Sequence, residues 1–313
     1  MNVVPIAFAF DNNLTIPAAV TFTSLLVNAA PDTFYDIFVL HSAKASLDKH
    51  LLSLIDDTFH NCKISYVPVG DTFDNAFEIR GITTPAYYRL LIPTLIPQYD
   101  KIIYADADII FRLDLSNLYS TDLGSNYLAA TKDLGLNLSE YGKKYIQHLP
   151  NVTPGGYLQS GFIMLNSALI RQDGLTHKFV EVAAKKWKYQ DQDTLNIICH
   201  DRVLFLAPKY NMTDYSFYYG LKEPAKWKEL YTVQEFQEGA THGNLHFNGH
   251  KPWRKWSVNF DIWWEYYRKS PVFDEKFYFD FYYDRLNELD QLPLMKRIKI
   301  LARYFIYGIR KKP

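Results

Sequence analysis

An apolar run closes on two carboxylates at Ile102-Ile103-Tyr104-Ala105-Asp106-Ala107-Asp108. Alternate residues of an extended segment point the same way, so Asp106 and Asp108 can aim at one point. Paired carboxylates give the oxygen-rich surroundings that hard divalent ions such as Mg²⁺ and Mn²⁺ favour. An ion held there can bind a diphosphate and neutralise its charge as it departs. Asp191-Gln192-Asp193 repeats the D-x-D spacing, so spacing alone decides little. The first pair is distinguished by the strand that runs into it. A second cluster is Leu245-His246-Phe247-Asn248-Gly249-His250-Lys251-Pro252-Trp253. His246 can ligate a metal through a neutral ring nitrogen. Gly249 lets backbone approach a phosphate, and Lys251 is a cation for diphosphate oxygens. The third is Tyr189–Asn196, a helix start whose acids suit the helix dipole; there Asp191 and Gln192 can present polar groups to sugar hydroxyls.

The elements that must position these residues alternate along the first half. Val3–Phe10, Tyr35–His41, Cys62–Val69, Lys101–Ala105 and Tyr127–Thr131 read as strands. Pro17–Ala29, Ala45–Phe59 and Thr84–Leu91 read as helices between them. This alternation predicts an α/β sheet wound with helices. Ligands of such sheets sit beyond the carboxyl ends of the strands, which is where Asp11, Asp106 and Asp133 fall. Further on, Gly161–Leu165, Val203–Leu206 and Asn244–Phe247 read as strands, and Leu175–Trp187 and Thr194–His200 as helices. The chain has 313 residues with 34 basic and 34 acidic side chains, so it has no bulk attraction for nucleic acid. Its 24 Tyr, 21 Phe and 6 Trp suit a core first and sugar binding second. Cys62 and Cys199 form no metal or redox spacing.

Taken in order, these motifs make the sequence resemble a family 8 glycosyltransferase, the group holding bacterial lipooligosaccharide galactosyl- and glucosyltransferases and glycogenin. The resemblance covers roughly residues 3–253. It runs through Phe8–Asn13, Thr84–Leu90, Tyr104–Asp108, Asp133, Tyr157–Gly161, Asp191–Asp193 and His246–Trp253. It implies a GT-A fold, a Rossmann-like mixed sheet flanked by helices. It also implies a UDP-hexose donor, galactose or glucose, a saccharide or lipid-linked saccharide acceptor, Mn²⁺ or Mg²⁺ as cofactor, and retention of anomeric configuration. Asp106, Asp108 and His246 fall at the metal ligands. Asp11 and Asn13 fall where uracil and ribose are read. Arg89, Asp133 and Asp191 fall where the donor sugar is held, and Gln192 beneath the anomeric carbon. Gly249 and Lys251 match the diphosphate clamp.

Three positions depart from the family's pattern. One residue is missing between Gly249 and Lys251, removing up to about 3.5 Å of reach and making His250 a second candidate for the phosphate contact. Gln159 stands where an Asn is usual at the donor sugar. Leu14 stands where an aromatic often packs on the uracil. Two rivals remain at this level, a metal-dependent nucleotidyltransferase and a non-catalytic nucleotide-sugar or glycan-binding protein. The first would need a Gly-rich, basic phosphate loop where Asp11-Asn12-Asn13 stands, and the second has no need of metal ligands with a diphosphate clamp.

Residues 1–270 read as the catalytic domain and 271–313 as a C-terminal helical region. From Leu294 to Pro313 seven residues are basic and none acidic. At 100° per residue Met295, Ile298, Leu301, Ala302, Phe305, Ile306 and Ile309 share one face. Such a tail suits an anionic membrane surface. With no signal peptide read at the N-terminus and no apolar stretch of roughly 20 residues, the expected location is cytoplasmic, peripheral on the cytoplasmic face of the membrane.

Overall fold

The computed structural model describes residues 2–79, 83–288 and 291–309, with 303–309 by backbone alone. The chain divides into two units, Met1–Val272 and Phe273–Pro313. In the first, seven strands form one mixed sheet in the order β3-β2-β1-β4-β7-β6-β8. They are β1 (Asn2–Ala9), β2 (Thr33–Ser42), β3 (Cys62–Val69), β4 (Ile102–Ala105), β6 (Leu128–Lys132), β7 (Leu158–Leu165) and β8 (Val203–Phe205). Strands β1 to β4 are parallel, and β7 runs antiparallel to both β4 and β6. Strand β1 is buried from Val4 to Ala9, because helices cover both faces. Ile6 and Phe8 pack with Phe22 and Leu25 of the Thr15–Val27 helix on one side. Ala7 and Ala9 pack with Leu40, Tyr104 and Ile163 on the other.

Chain order reverses between β1 and β4, and that switch point is where open α/β sheets leave a crevice for ligands. Asp11 leaves β1 there and Asp106 leaves β4. Three two-residue strands, β5 (Ile109–Ile110), β9 (Met212–Thr213) and β10 (Leu245–His246), form a second sheet in the order β5-β10-β9. His246 pairs with Ile109 across it, which carries the histidine to the carboxylate turn.

The strands appear where the apolar runs place them; Cys62–Val69 keeps both ends and the others differ at one or both. β7 starts at Leu158, three residues before the reading, since Leu158 and Gln159 are also buried. Thr84–Leu91 is a 3-10 helix with Pro85 near its start. The helix expected at Thr194 begins at Gln190, and all but one of its residues are buried. The helix from Leu175 ends at Ala183, and Lys186 takes a φ of 56°. The second unit holds helices Glu275–Asn287 and Leu294–Ile309. Asp274 caps the first, accepting from Phe277 N at 2.6 Å.

Candidate functional site

A cleft of about 550 Å³ opens at the switch point. Asp106 and Asp108 stand in the turn between β4 and β5, and the turn, rather than strand alternation, brings them together. Asp106 N donates to Gly161 O at 2.8 Å, tying the turn to β7. One ligand atom from each of Asp106, Asp108 and His246 lies within 4.8 Å of the others. His246 Nε2 is 3.3 Å from Asp108 Oδ1 and 3.6 Å from Asp106 Oδ2. His246 Nδ1 donates to Asn211 Oδ1 at 2.9 Å. Asn211 is oriented in turn, since its Nδ2 donates to Gln159 Oε1 at 2.7 Å and Thr131 Oγ1 at 3.2 Å. That network fixes the ring so that Nε2 is the nitrogen facing the two carboxylates, the one left to ligate a metal. Asp108 Oδ1 is buried and makes no hydrogen bond. Nε2, the Asp108 oxygen without a hydrogen bond and an Asp106 oxygen turn to one point, where a cation would meet all three. The donor set therefore fits a hard or borderline divalent ion.

Lys251 reaches the same place despite the shortened loop. Its Nζ donates to Asp108 Oδ2 and to Phe247 O. Burial pushes the Asp108 carboxyl up, but Lys251 and His246 outweigh it and hold the group below the usual carboxylate range. Gly161 forms the floor, where a Cβ would stand 2.3 Å from His246 Cε1 and 2.6 Å from Asp106 Oδ2.

Arg89 is buried under the cleft and organises it. Nη2 donates to Asp106 Oδ1 at 2.8 Å, Nη1 to Ser160 O at 2.6 Å, and Nε to Ala86 O at 2.8 Å. Its guanidinium lies 4.3 Å from the Tyr104 ring centre, and Nε is 3.2 Å from Asp191 Oδ2. Asp191 also accepts from Ser160 Oγ at 2.9 Å. Burial pushes the Asp191 carboxyl up to about 6, with Arg89 opposing and Asp106 assisting. Gln192 is held at both ends of its amide. Oε1 accepts from Ser160 N at 3.0 Å, and Nε2 donates to Asp133 Oδ2 at 3.0 Å. Asp133 caps the Leu134–Leu138 helix through Leu136 N at 2.9 Å, and burial raises its carboxyl. Asp193 turns away, accepting from the Tyr145 and Tyr157 hydroxyls at 2.5 and 2.6 Å.

The sequence-selected residues do not all reach the cleft. Asp11, Asn13, Arg89, Asp133, Gln159, Asp191, Gln192 and Lys251 line it with the three candidate ligands. Asp11 Oδ1 accepts from Asn13 N at 2.9 Å, fixing the turn at that end. Gly249 packs elsewhere: a Cβ there would be 2.2 Å from Asp214 Oδ2, while its neighbour Asn248 lines the cleft. Gln159 Oε1 is committed to Asn211 Nδ2 and Gly161 N. Asn211, Ser160 and Tyr104 were not singled out as functional side chains in the sequence. Ser160 and Tyr104 sat inside quoted motifs; Asn211 carries no local signal.

The model of glycosyl transferase family 8 matches residues 5–257. A putative glycosyltransferase of Haemophilus influenzae is 25% identical, over 66% of this chain and 63% of its own length. Lipopolysaccharide 1,2-glucosyltransferase of Escherichia coli K12 is 26% identical, over 81% of this chain and 73% of its own. The structure of the galactosyltransferase LgtC in complex with donor and acceptor sugar analogs superposes with a TM-score of 0.71 at 24% identity, covering 87% of this chain and 98% of that one. That likeness carries the GT-A fold.

Proposed function

The chain belongs to glycosyl transferase family 8, and from that premise we propose that it is a retaining hexosyltransferase using UDP-glucose or UDP-galactose. The acceptor in this reading is a saccharide or lipid-linked saccharide of a surface glycan, as the names of its lipopolysaccharide-building relative suggest. The observation that carries the reading is the convergence of Asp106, Asp108 and His246 at the sheet's switch point. These three would hold Mn²⁺, with Mg²⁺ as the alternative, and the ion would draw charge from the diphosphate leaving group.

The residues of the chain do the rest. Lys251, already within reach of Asp108, would contact the diphosphate when Asp108 serves as a ligand to the ion. Asp11 and Asn13 bind the uridine end. Asp133 and Asp191 accept hydrogen bonds from donor-sugar hydroxyls, and Arg89 keeps Asp191 and Asp106 in place. As the anomeric C–O bond breaks, its electron pair leaves with the β-phosphate oxygen and positive charge grows on the sugar. The acceptor hydroxyl oxygen attacks from the same face, and its proton passes to the departing phosphate oxygen. Gln192, fixed by Ser160 N and Asp133, presents an oriented amide dipole to the far face and stabilises that charge. It is held as a dipole, and an amide is a poor nucleophile.

Incubation with UDP-hexoses and Mn²⁺ tests the reading. UDP release should require the ion, and an α-linked donor should give an α-linked product by anomeric proton coupling. UDP release in excess EDTA, or a β-linked product, would overturn it. We assign the C-terminal tail to an anionic membrane surface. Leu294, Met295, Ile298 and Leu301 are exposed beside Lys296, Arg297 and Lys299. Among the described residues no helix is long and apolar enough to cross a membrane. Arg310, Lys311 and Lys312 lie outside the described residues, as do the side chains of Arg303, Phe305, Ile306 and Ile309. Cosedimentation with anionic vesicles at low salt, lost on deleting 294–313, is the expected result.

A further inference from the structure

One wall of the cleft carries residues that the proposed donor site does not use. It carries Leu136, Ser139, Tyr141, Tyr189 and Tyr215. Tyr141 and Tyr215 are 52% and 50% exposed, though both line the cleft. Each is braced from behind by a second tyrosine one helical turn on. The Tyr141 and Tyr145 rings are 6.4 Å apart and 16° from parallel; those of Tyr215 and Tyr219 are 6.1 Å apart and 23° from parallel. Lys188 Nζ donates to the Tyr141 hydroxyl. The Tyr215 ring lies on the backbone of Gly135, where a Cβ would come within 2.8 Å of it. So both side chains are held while about half of each residue stays exposed. Chain adjacency sets where Tyr215 stands. Its neighbour Asp214 packs on Gly249 in the His246–Lys251 loop, and its ring covers Gly135, two residues from Asp133. It therefore spans the gap between the diphosphate loop and the Asp133–Gln192 pair, where the sugar is exchanged.

We propose that Tyr215 and Tyr141 form a stacking shelf for the acceptor saccharide, with the ring that receives the hexose on Tyr215 and the next ring toward Tyr141. This rests on the glycosyltransferase reading above. A pyranose has one face of C–H groups, apolar and faintly positive, which matches the negative face of an aromatic ring. Two fixed rings can hold two sugars with little entropy lost by the protein. Stacking reads ring shape more than individual hydroxyls, so the shelf accepts gluco and galacto rings alike and leaves stereochemical choice to the polar groups beside it.

Saturation-transfer NMR with methyl β-lactoside, methyl β-cellobioside and methyl α-maltoside tests the shelf on the full chain, and calorimetry of UDP with Mn²⁺ reports separately on the donor end. Wild type should show transfer to the C–H protons of at least one of the three. Tyr215→Ala and Tyr141→Ala should each weaken that binding roughly tenfold, and Tyr215→Phe and Tyr141→Phe should retain it. UDP affinity in the variants shows that the cleft is folded. Equal binding by the Ala variants and wild type, or no transfer to any of the three disaccharides, would overturn the shelf. A wild type that binds a disaccharide but not UDP would instead overturn the donor reading and leave the shelf standing.

Discussion

The two ends of the cleft are built in opposite ways. At the metal end each side chain is fixed by a partner from a distant element: Asp106 by Arg89, His246 by Asn211, Asp108 by Lys251. His246 and Asp108 are buried, so a misplaced atom there cannot be relieved by solvent. At the tyrosine end the rings are braced largely within their own helices and half exposed. The long-range end is pre-organised for one geometry, which charge stabilisation needs. The locally braced end depends on fewer distant partners, so a change there should disturb less of the cleft.

The largest effects should follow from removing the metal end. Asp106→Ala, Asp108→Ala and His246→Ala should each lower UDP release about 10³-fold, with the fold kept by circular dichroism; full activity in either Asp variant would break the comparison. Next comes the support. Asn211→Ala should weaken Mn²⁺ binding about 10- to 100-fold by freeing the His246 ring. Gly161→Ala should do at least as much, since its Cβ would overlap His246 Cε1. Mn²⁺ titration by electron paramagnetic resonance separates this from a loss of chemistry. Wild-type affinity in Asn211→Ala would show that the histidine needs no orienting partner.

A smaller effect is set by pH. The Asp191 carboxyl is pushed up to about 6 from 3.8, so the fold favours its protonated form. Its contribution to stability is present below about pH 4 and is lost as pH rises through about 6. Activity runs the other way, because the ionised form pairs with Arg89 and accepts from sugar. The expected profile of kcat/KM falls about tenfold per pH unit below about 6, and Asp191→Asn should lose that limb along with most of its rate. An unchanged acid limb in Asp191→Asn would assign the titration to another group.

The strands and the chemistry-bearing residues were legible because apolar runs end at them, as Ile102–Ala105 ends at Asp106. What joins them was not. β5, β9 and β10 are two residues each, too short for any periodicity, yet β10 is what brings His246 to the carboxylate turn. Asn211 and Ser160 act through pairing across the sheets, which leaves no mark in local sequence. Gly249 looked like room for a phosphate because glycine permits close approach; in the structure its missing Cβ also makes room for Asp214 Oδ2, which no local signal foretold. Arg89 looked like a sugar ligand, and its donors are turned to Asp106, Ser160 and Ala86.

The smallest effect sharpens the comparison by a gain. Leu14 lines the cleft beside Asp11 and Asn13, where the proposed uridine would lie, and is half-buried at the end of the Asn12–Leu14 turn. Its side chain packs partly on the core and partly lines the cleft, so a ring placed there would extend toward the cleft. Leu14→Tyr supplies the face on which a uracil stacks, and such stacking is worth about 0.5–1.5 kcal/mol. UDP should therefore bind about two- to tenfold tighter, read by calorimetry, with kcat little changed because donor and transition state gain alike. The same kind of enlargement at Gly161 can only lose. If Leu14→Tyr weakens UDP binding or lowers Tm by several degrees, that edge is as tightly specified as the metal end, and the contrast between a fixed centre and tolerant flanks fails at its uridine side.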